Sequence, residues 1–117
     1  MSPTARHVVV TGAGGFAGAF IARALAGHGY DVTAIARRPA PTGAPSAPRL
    51  TWRQADLLEA EALPKRFDAL VHCAAMIPER APDPQSLHRV NLEMARKAFA
   101  GSSDAGARTV VFLSSMS

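Results

Sequence analysis

The sequence predicts an α/β fold in which a doubly wound parallel sheet carries helices on both faces, and three observations point to it. Short apolar, β-branched runs alternate with stretches of helical periodicity along the chain. The first run passes through a glycine turn directly into an amphipathic stretch. The residues with binding chemistry fall just after the strands, where ligands sit in open parallel sheets. Right-handed crossovers then order the strands 3-2-1-4-5, and the chain stops after the fifth.

Each element has its own local reason. Val8, Val9 and Val10 form a short buried strand that ends at Thr11. After the glycine turn, Ala17, Phe20, Ile21, Ala24 and Leu25 recur at helical spacing and are expected to form the buried face. Gly27 and Gly29 flank a turn into a second strand over 31–36, with Val32, Ala34 and Ile35 apolar. Residues 37–49 are rich in proline and alanine, with one glycine, and read as an exposed loop. A third strand over 50–53 leads into a short helical segment near 58–63, closed by Pro64. The fourth strand covers 69–73, and a proline-broken loop follows to Asp83. Asp83 as N-cap and Pro84 at the first helical position start a helix that ends near Gly101. Thr109 to Leu113 is the fifth strand.

The run Thr11-Gly12-Ala13-Gly14-Gly15-Phe16-Ala17-Gly18 carries the most chemistry. A strand that turns through glycines into a helix holds phosphate by simple physics: unpaired N–H groups and the positive dipole end face the ligand. Gly12 permits the tight turn, Gly15 lets the backbone approach a pyrophosphate, and Gly18 lets the helix pack on the strand. Phe16 and Ala17 open the helix and offer their N–H groups. The spacing fits G-x-x-G-x-x-G at 12, 15 and 18, and also G-x-G-x-x-A at 12, 14 and 17; both imply a dinucleotide. A secretory signal is excluded, because glycines interrupt the apolar core that such a signal needs.

Composition narrows the class further. The 117 residues allow one domain, 48% hydrophobic and 19% charged residues fit a globular protein, and no apolar run reaches membrane-spanning length. A single cysteine, Cys73, excludes an internal disulfide and a cysteine-based metal site, which suits a reducing cytoplasm. No metal site is expected. A net charge of +4 and a pI near 10.2 raise the question of nucleic acid. The arginines are scattered and aromatics make up only 6%, so neither a basic stripe nor a stacking platform exists.

The ends of the later strands refine the ligand. In NAD-binding members of this architecture an acid after the second strand accepts from the ribose hydroxyls. Here Arg37 and Arg38 stand at that place. Asp31 lies at the strand's start, five residues at ~3.3 Å each, or ~17 Å, from the crevice. Two arginines without an acid welcome a 2′-phosphate, so NADP is favoured over NAD. Asp56 is placed to accept from the adenine amino group, with the Leu57 backbone at the ring edge; its other reading is an N-cap of the next segment. Ala74 and Ala75 are small enough for backbone to pass against ribose and pyrophosphate. His72 reads as a structural histidine. Asn91 falls at helical spacing with Leu87, Met94 and Ala98. Its amide either ties the helix to a neighbouring loop or helps to organise the catalytic site.

Taken together, Thr11-Gly12-x-x-Gly15-x-x-Gly18, Asp56-Leu57, His72-Cys73-Ala74-Ala75, Asn91 and Phe112-Leu113-Ser114-Ser115 resemble the extended short-chain dehydrogenase/reductase family, also called the NAD-dependent epimerase/dehydratase family. The surroundings thereby favour the 12, 15, 18 register. The resemblance covers essentially the whole chain. It implies a Rossmann sheet, NAD(P), and hydride transfer at a sugar or other carbinol carbon of a small-molecule substrate. It also implies that a serine just after the fifth strand hydrogen-bonds the substrate oxygen, which is Ser115 by alignment, with Ser114 as fallback.

The family's proton donor is a tyrosine in a Tyr-x-x-x-Lys pair, and this chain has none: its sole tyrosine is Tyr30 and its lysines are Lys65 and Lys97. The expectation is therefore the N-terminal NAD(P)-binding domain, residues 1–117, of a longer enzyme, inactive alone and compatible with a homodimer of the full-length protein. Val110 to Leu113 would then be an apolar edge strand inviting association. The alternative is a non-catalytic, redox-sensing dinucleotide module.

Overall fold

The computed structural model describes residues 6–40, 43, 47–59, 61–73 and 83–113. Its elements are β1 (His7–Thr11), α1 (Phe16–Gly27), β2 (Asp31–Ala36), β3 (Leu50–Gln54), β4 (Ala69–His72), α2 (Pro84–Asp104) and β5 (Thr109–Phe112). The five strands form one sheet ordered β3-β2-β1-β4-β5, with every neighbouring pair parallel. This is the Rossmann-like order expected from the sequence. The order reverses between β1 and β4, so the chain leaves those two strands in opposite directions and opens a crevice at their carboxyl ends.

Side chains alternate across each strand and supply a core on both faces. Val8 and Val10 of β1, with Val32 and Ala34 of β2, pack under α1 at Ala22 and Ala26. Val9, Ile35 and Leu70 face the other way and pack with Phe67, Ala98 of α2 and Ala105. Val9, Val10, Leu70 and Ala34 are all fully buried, as strands covered on both faces require.

The helix α1 presents a different face from the one its large apolar residues suggest. Its buried line is Gly18, Ala22 and Ala26, with Ile21 and Leu25 partly buried beside it. Phe20 is 68% exposed, and Ala17 and Ala24 are exposed too. Small residues on the contact line let the helix axis lie close to the sheet, and this close approach outweighs the pull to bury one phenyl ring.

The segment expected to be helical near 58–63 also differs: its described residues form turns. Glu61 adopts a left-handed backbone with φ of 62°, which no right-handed helix can continue through. The Arg53 guanidinium donates to the Glu61 carbonyl at 2.7 Å and holds that conformation.

By contrast, α2 starts where the sequence places it. The Asp83 carboxylate accepts from the Ser86 N–H at 2.7 Å, and Pro84 occupies the first turn. The helix runs past Gly101 to Asp104, and Ser102 satisfies its buried hydroxyl by donating to the Ala98 carbonyl at 2.7 Å. Among the described residues no helix is long and apolar enough to cross a membrane. β5 pairs with β4, and Val111, Phe112 and Leu113 remain substantially exposed along it.

Candidate functional site

The site is built from the carboxyl ends of the strands, because parallel pairing delivers all five ends to one edge of the sheet. At β1 the chain turns at Gly12, whose φ of 67° favours glycine. The turn is closed by the Gly15 N–H donating to the Gly12 carbonyl at 3.1 Å, and the Ala13 N–H donating to Ile35 of β2 at 3.0 Å. Gly18 packs hard against this turn. A β-carbon there would lie 2.8 Å from the Gly12 carbonyl carbon and 2.9 Å from Ala13 Cα. A β-carbon on Gly15 would meet only the Gly12 oxygen, at 3.5 Å. Among the described residues nothing therefore requires Gly15 to be glycine, and the space outside it is open.

The start of α1 adds the electrostatics. Gly15 is its N-cap, no side chain caps it, and its first turn holds no acid. The first N–H groups of a helix lack intrahelical partners, so this end remains a ready anion site. Phe16 and Ala17 sit exposed in that first turn. α2 is the internal contrast, since its own Asp83 already fills its N-terminus.

The other predicted residues fall around the same edge. Arg37 and Arg38 are exposed immediately after β2. The Arg37 carbonyl accepts from Gln54 Nε2 at 3.4 Å, and Ala36 is close enough to the glycine turn for a β-carbon on Gly14 to touch it at 3.5 Å. Asp31 lies at the opposite end of β2, paired with Arg49 at 3.0 Å, away from the turn. Asp56 follows β3, and its carboxylate accepts from the Leu58 N–H at 2.9 Å, a local turn contact with no helix behind it to cap among the described residues. Leu57 is buried beside it. Asn91 is half-buried in α2, with Leu87 and Met94 half-buried and Ala98 fully buried on the same face. Ala74, Ala75, Ser114 and Ser115 lie outside the described residues.

One cluster was not legible in the sequence. Thr11, fully buried, shares a 2.8 Å hydrogen bond between its Oγ1 and His72 Nδ1. The same Oγ1 accepts from the Cys73 N–H at 3.1 Å. Burial pushes the His72 imidazole below its ordinary range and the Cys73 thiol above its own, so both are neutral at neutral pH. The available signal is positional: Thr11 ends the first apolar run and His72 lies at the end of the fourth, where the structure stops β4. Among the described residues no group of His, Cys, Asp and Glu could hold a metal ion.

A match to the model of the NAD dependent epimerase/dehydratase family extends over residues 8–117. The chain belongs to that family. Within its range the chain is 36% identical over 120 residues to cinnamoyl-CoA reductase 1 of Oryza sativa subsp. japonica, covering 92% of this chain and 34% of that protein. Among solved structures, a short-chain dehydrogenase/reductase superfamily protein from Agrobacterium tumefaciens with bound NAD is 30% identical. It superposes with a TM-score of 0.76 over 93% of this chain and 32% of its own. The epimerase Mth375 from Methanothermobacter thermautotrophicus shares the fold, with a TM-score of 0.84 at 24% identity, over 95% of this chain and 35% of its own. This family member thus spans about a third of the length of the relatives it matches.

Proposed function

We propose that this chain is the dinucleotide-binding part of an NAD(P)-dependent oxidoreductase, epimerase or dehydratase, with NADP(H) the favoured cofactor. The observation that carries the reading is the uncapped, acid-free start of α1 behind the Gly12–Gly15–Gly18 turn. A helix end left open by its own sequence, at the switch point of a parallel sheet, fits a pyrophosphate. The family and its NAD-bound structural relative support the same ligand class.

The residues divide the cofactor between them. Backbone N–H groups of Phe16 and Ala17 would hold the pyrophosphate, and Gly15, whose own N–H closes the turn, would leave room for it. Arg37 and Arg38 would hold a 2′-phosphate by charge-assisted hydrogen bonds. Asp56 and Leu57 would meet the adenine, and Ala74 and Ala75 would flank the ribose. When bound, the nicotinamide supplies or accepts hydride at a sugar or other carbinol or carbonyl carbon. Ser115 would orient the substrate oxygen, and Asn91 would brace the loop or the site beside it.

The alternative is a non-catalytic dinucleotide or redox-sensing module built on the same crevice. Tyr30 packs at the edge of the first core cluster, just before β2, at the opposite end of the sheet from the glycine turn, and takes no part in either reading. Fluorescence titration of the chain with NADPH and NADH tests the cofactor reading. Binding of NADPH tighter than NADH is expected; the reverse order would remove the role given to Arg37 and Arg38, and binding of neither would remove the site.

A further inference from the structure

The carboxyl ends of three strands are joined in one line below the crevice. Thr11, His72 and Phe112 are register partners across β1, β4 and β5. The Thr11 hydroxyl holds the imidazole from one side at 2.8 Å. The Phe112 ring meets it edge-on from the other, with centroids 5.4 Å apart and planes at 74°. Phe112 is in turn stacked on Phe99 of α2 at 6.3 Å and 10°. His72 is only 5% exposed, and its backbone carbonyl accepts from the Leu113 N–H at 3.1 Å. An imidazole pinned on both sides in this way has one orientation, with Nδ1 on Thr11.

Thr11 precedes Gly12 directly, and Gly12 is both the carbonyl that closes the glycine turn and the surface against which Gly18 packs. Cys73, held by the same hydroxyl, is the residue at which β4 opens into the crevice. A shift of Thr11 would therefore move both walls of the crevice together. We propose that His72 is a positioning residue for the dinucleotide crevice, acting through Thr11, with Phe112 and Phe99 as its backing. The inference rests on the dinucleotide reading above. His72 touches no cofactor in this scheme. Its neutral ring fixes the Thr11 hydroxyl, and that hydroxyl sets the spacing of the glycine turn and the end of β4.

The test is NADPH titration of the full chain and its variants, with the thermal midpoint measured alongside. His72→Leu keeps the apolar volume and removes the hydrogen bond, and is expected to raise the NADPH Kd by about tenfold. His72→Asn, whose amide branches from the same carbon as Nδ1, is expected to return the Kd to within about threefold of wild type. His72→Gln places its amide one bond further out and is expected to bind as weakly as the Leu variant. If His72→Leu does not fold, the Asn and Gln pair carries the comparison alone. Thr11→Val combined with His72→Leu should cost no more in affinity than the worse single change, because both remove one linkage. Wild-type NADPH affinity in His72→Leu, or equal binding by the Asn and Gln variants, overturns the inference and leaves the cofactor site standing. Absence of dinucleotide binding in the wild-type chain overturns the site reading and this inference with it.

Discussion

Gly18 lies against the backbone of Gly12, so close that a β-carbon on it would come within 2.8 Å of the Gly12 carbonyl carbon and 2.9 Å of Ala13 Cα. The obstruction is main chain, and no side-chain rotation can relieve it. Gly18→Ala must therefore displace either α1 or the turn, and is expected to destabilise the chain by about 2 kcal/mol while abolishing NADPH binding. Gly27 is the control at the far end of the same helix, since a β-carbon there meets nothing within 4 Å. Gly27→Ala should leave binding intact and be neutral or stabilising by up to about 0.5 kcal/mol. Thermal melts and titrations of the two variants decide the matter.

Charge at only one end of β2 should matter for the cofactor. Arg37 and Arg38 follow the strand at the edge that carries the glycine turn, whereas Asp31 begins it at the other edge and pairs with Arg49. Replacing both arginines with alanine should weaken NADPH binding by about 10- to 100-fold, as expected for lost charge-assisted contacts, and change NADH binding little. Asp31→Asn breaks a half-exposed ion pair worth at most about 1 kcal/mol, and both Kd values should stay as they are. A parallel loss of NADPH and NADH affinity in the double arginine variant would show that these side chains do not read the 2′-phosphate.

How much of this is legible beforehand depends on how local the cause is. The strand order follows from apolar runs separated by helical ones, because crossover handedness leaves few topologies. The Asp83-Pro84 start of α2 is equally local, since cap and proline act on their own turn. The buried face of α1 is not local. Gly18, Ala22 and Ala26 offer little apolar area, and only the closeness of the sheet makes them the contact line while Phe20 faces outward. The left-handed turn at Glu61 depends on Arg53 reaching the Glu61 carbonyl, a contact between a strand and the loop beyond it. The Thr11–His72 bond joins residues 61 apart in sequence and exists only once β1 and β4 are in register. Glycine turn and arginines are readable because their chemistry lies in a few consecutive residues.

Capping separates the two helices energetically. Asp83→Ala removes the carboxylate that accepts from the Ser86 N–H and should cost about 1 kcal/mol of stability, seen as a lower denaturation midpoint. Asp83→Asn retains an acceptor and should recover most of the loss. Neither change touches the open N-terminus of α1, so NADPH affinity should be unchanged in both. An affinity loss in Asp83→Ala would place the start of α2 within the cofactor site.

The buried His72 imidazole makes stability fall on mild acidification. Its pKa is lowered on folding from the unfolded value of 6.5 because burial disfavours the charged ring. Above pH 6.5 both states hold the ring neutral, and its contribution to stability is fully present. As pH drops below that value the unfolded chain takes up the proton first, so stability declines until the pH has passed through the folded pKa. Protonation would also leave Nδ1 only a donor, so the Thr11 hydroxyl could serve it only as an acceptor. In His72→Asn there is no such proton to take up. Its thermal midpoint should therefore fall less than that of wild type between pH 7 and pH 5, the difference opening below pH 6.5. Parallel curves for the two proteins over that range would mean that His72 does not titrate on unfolding there, and that its burial carries no such linkage.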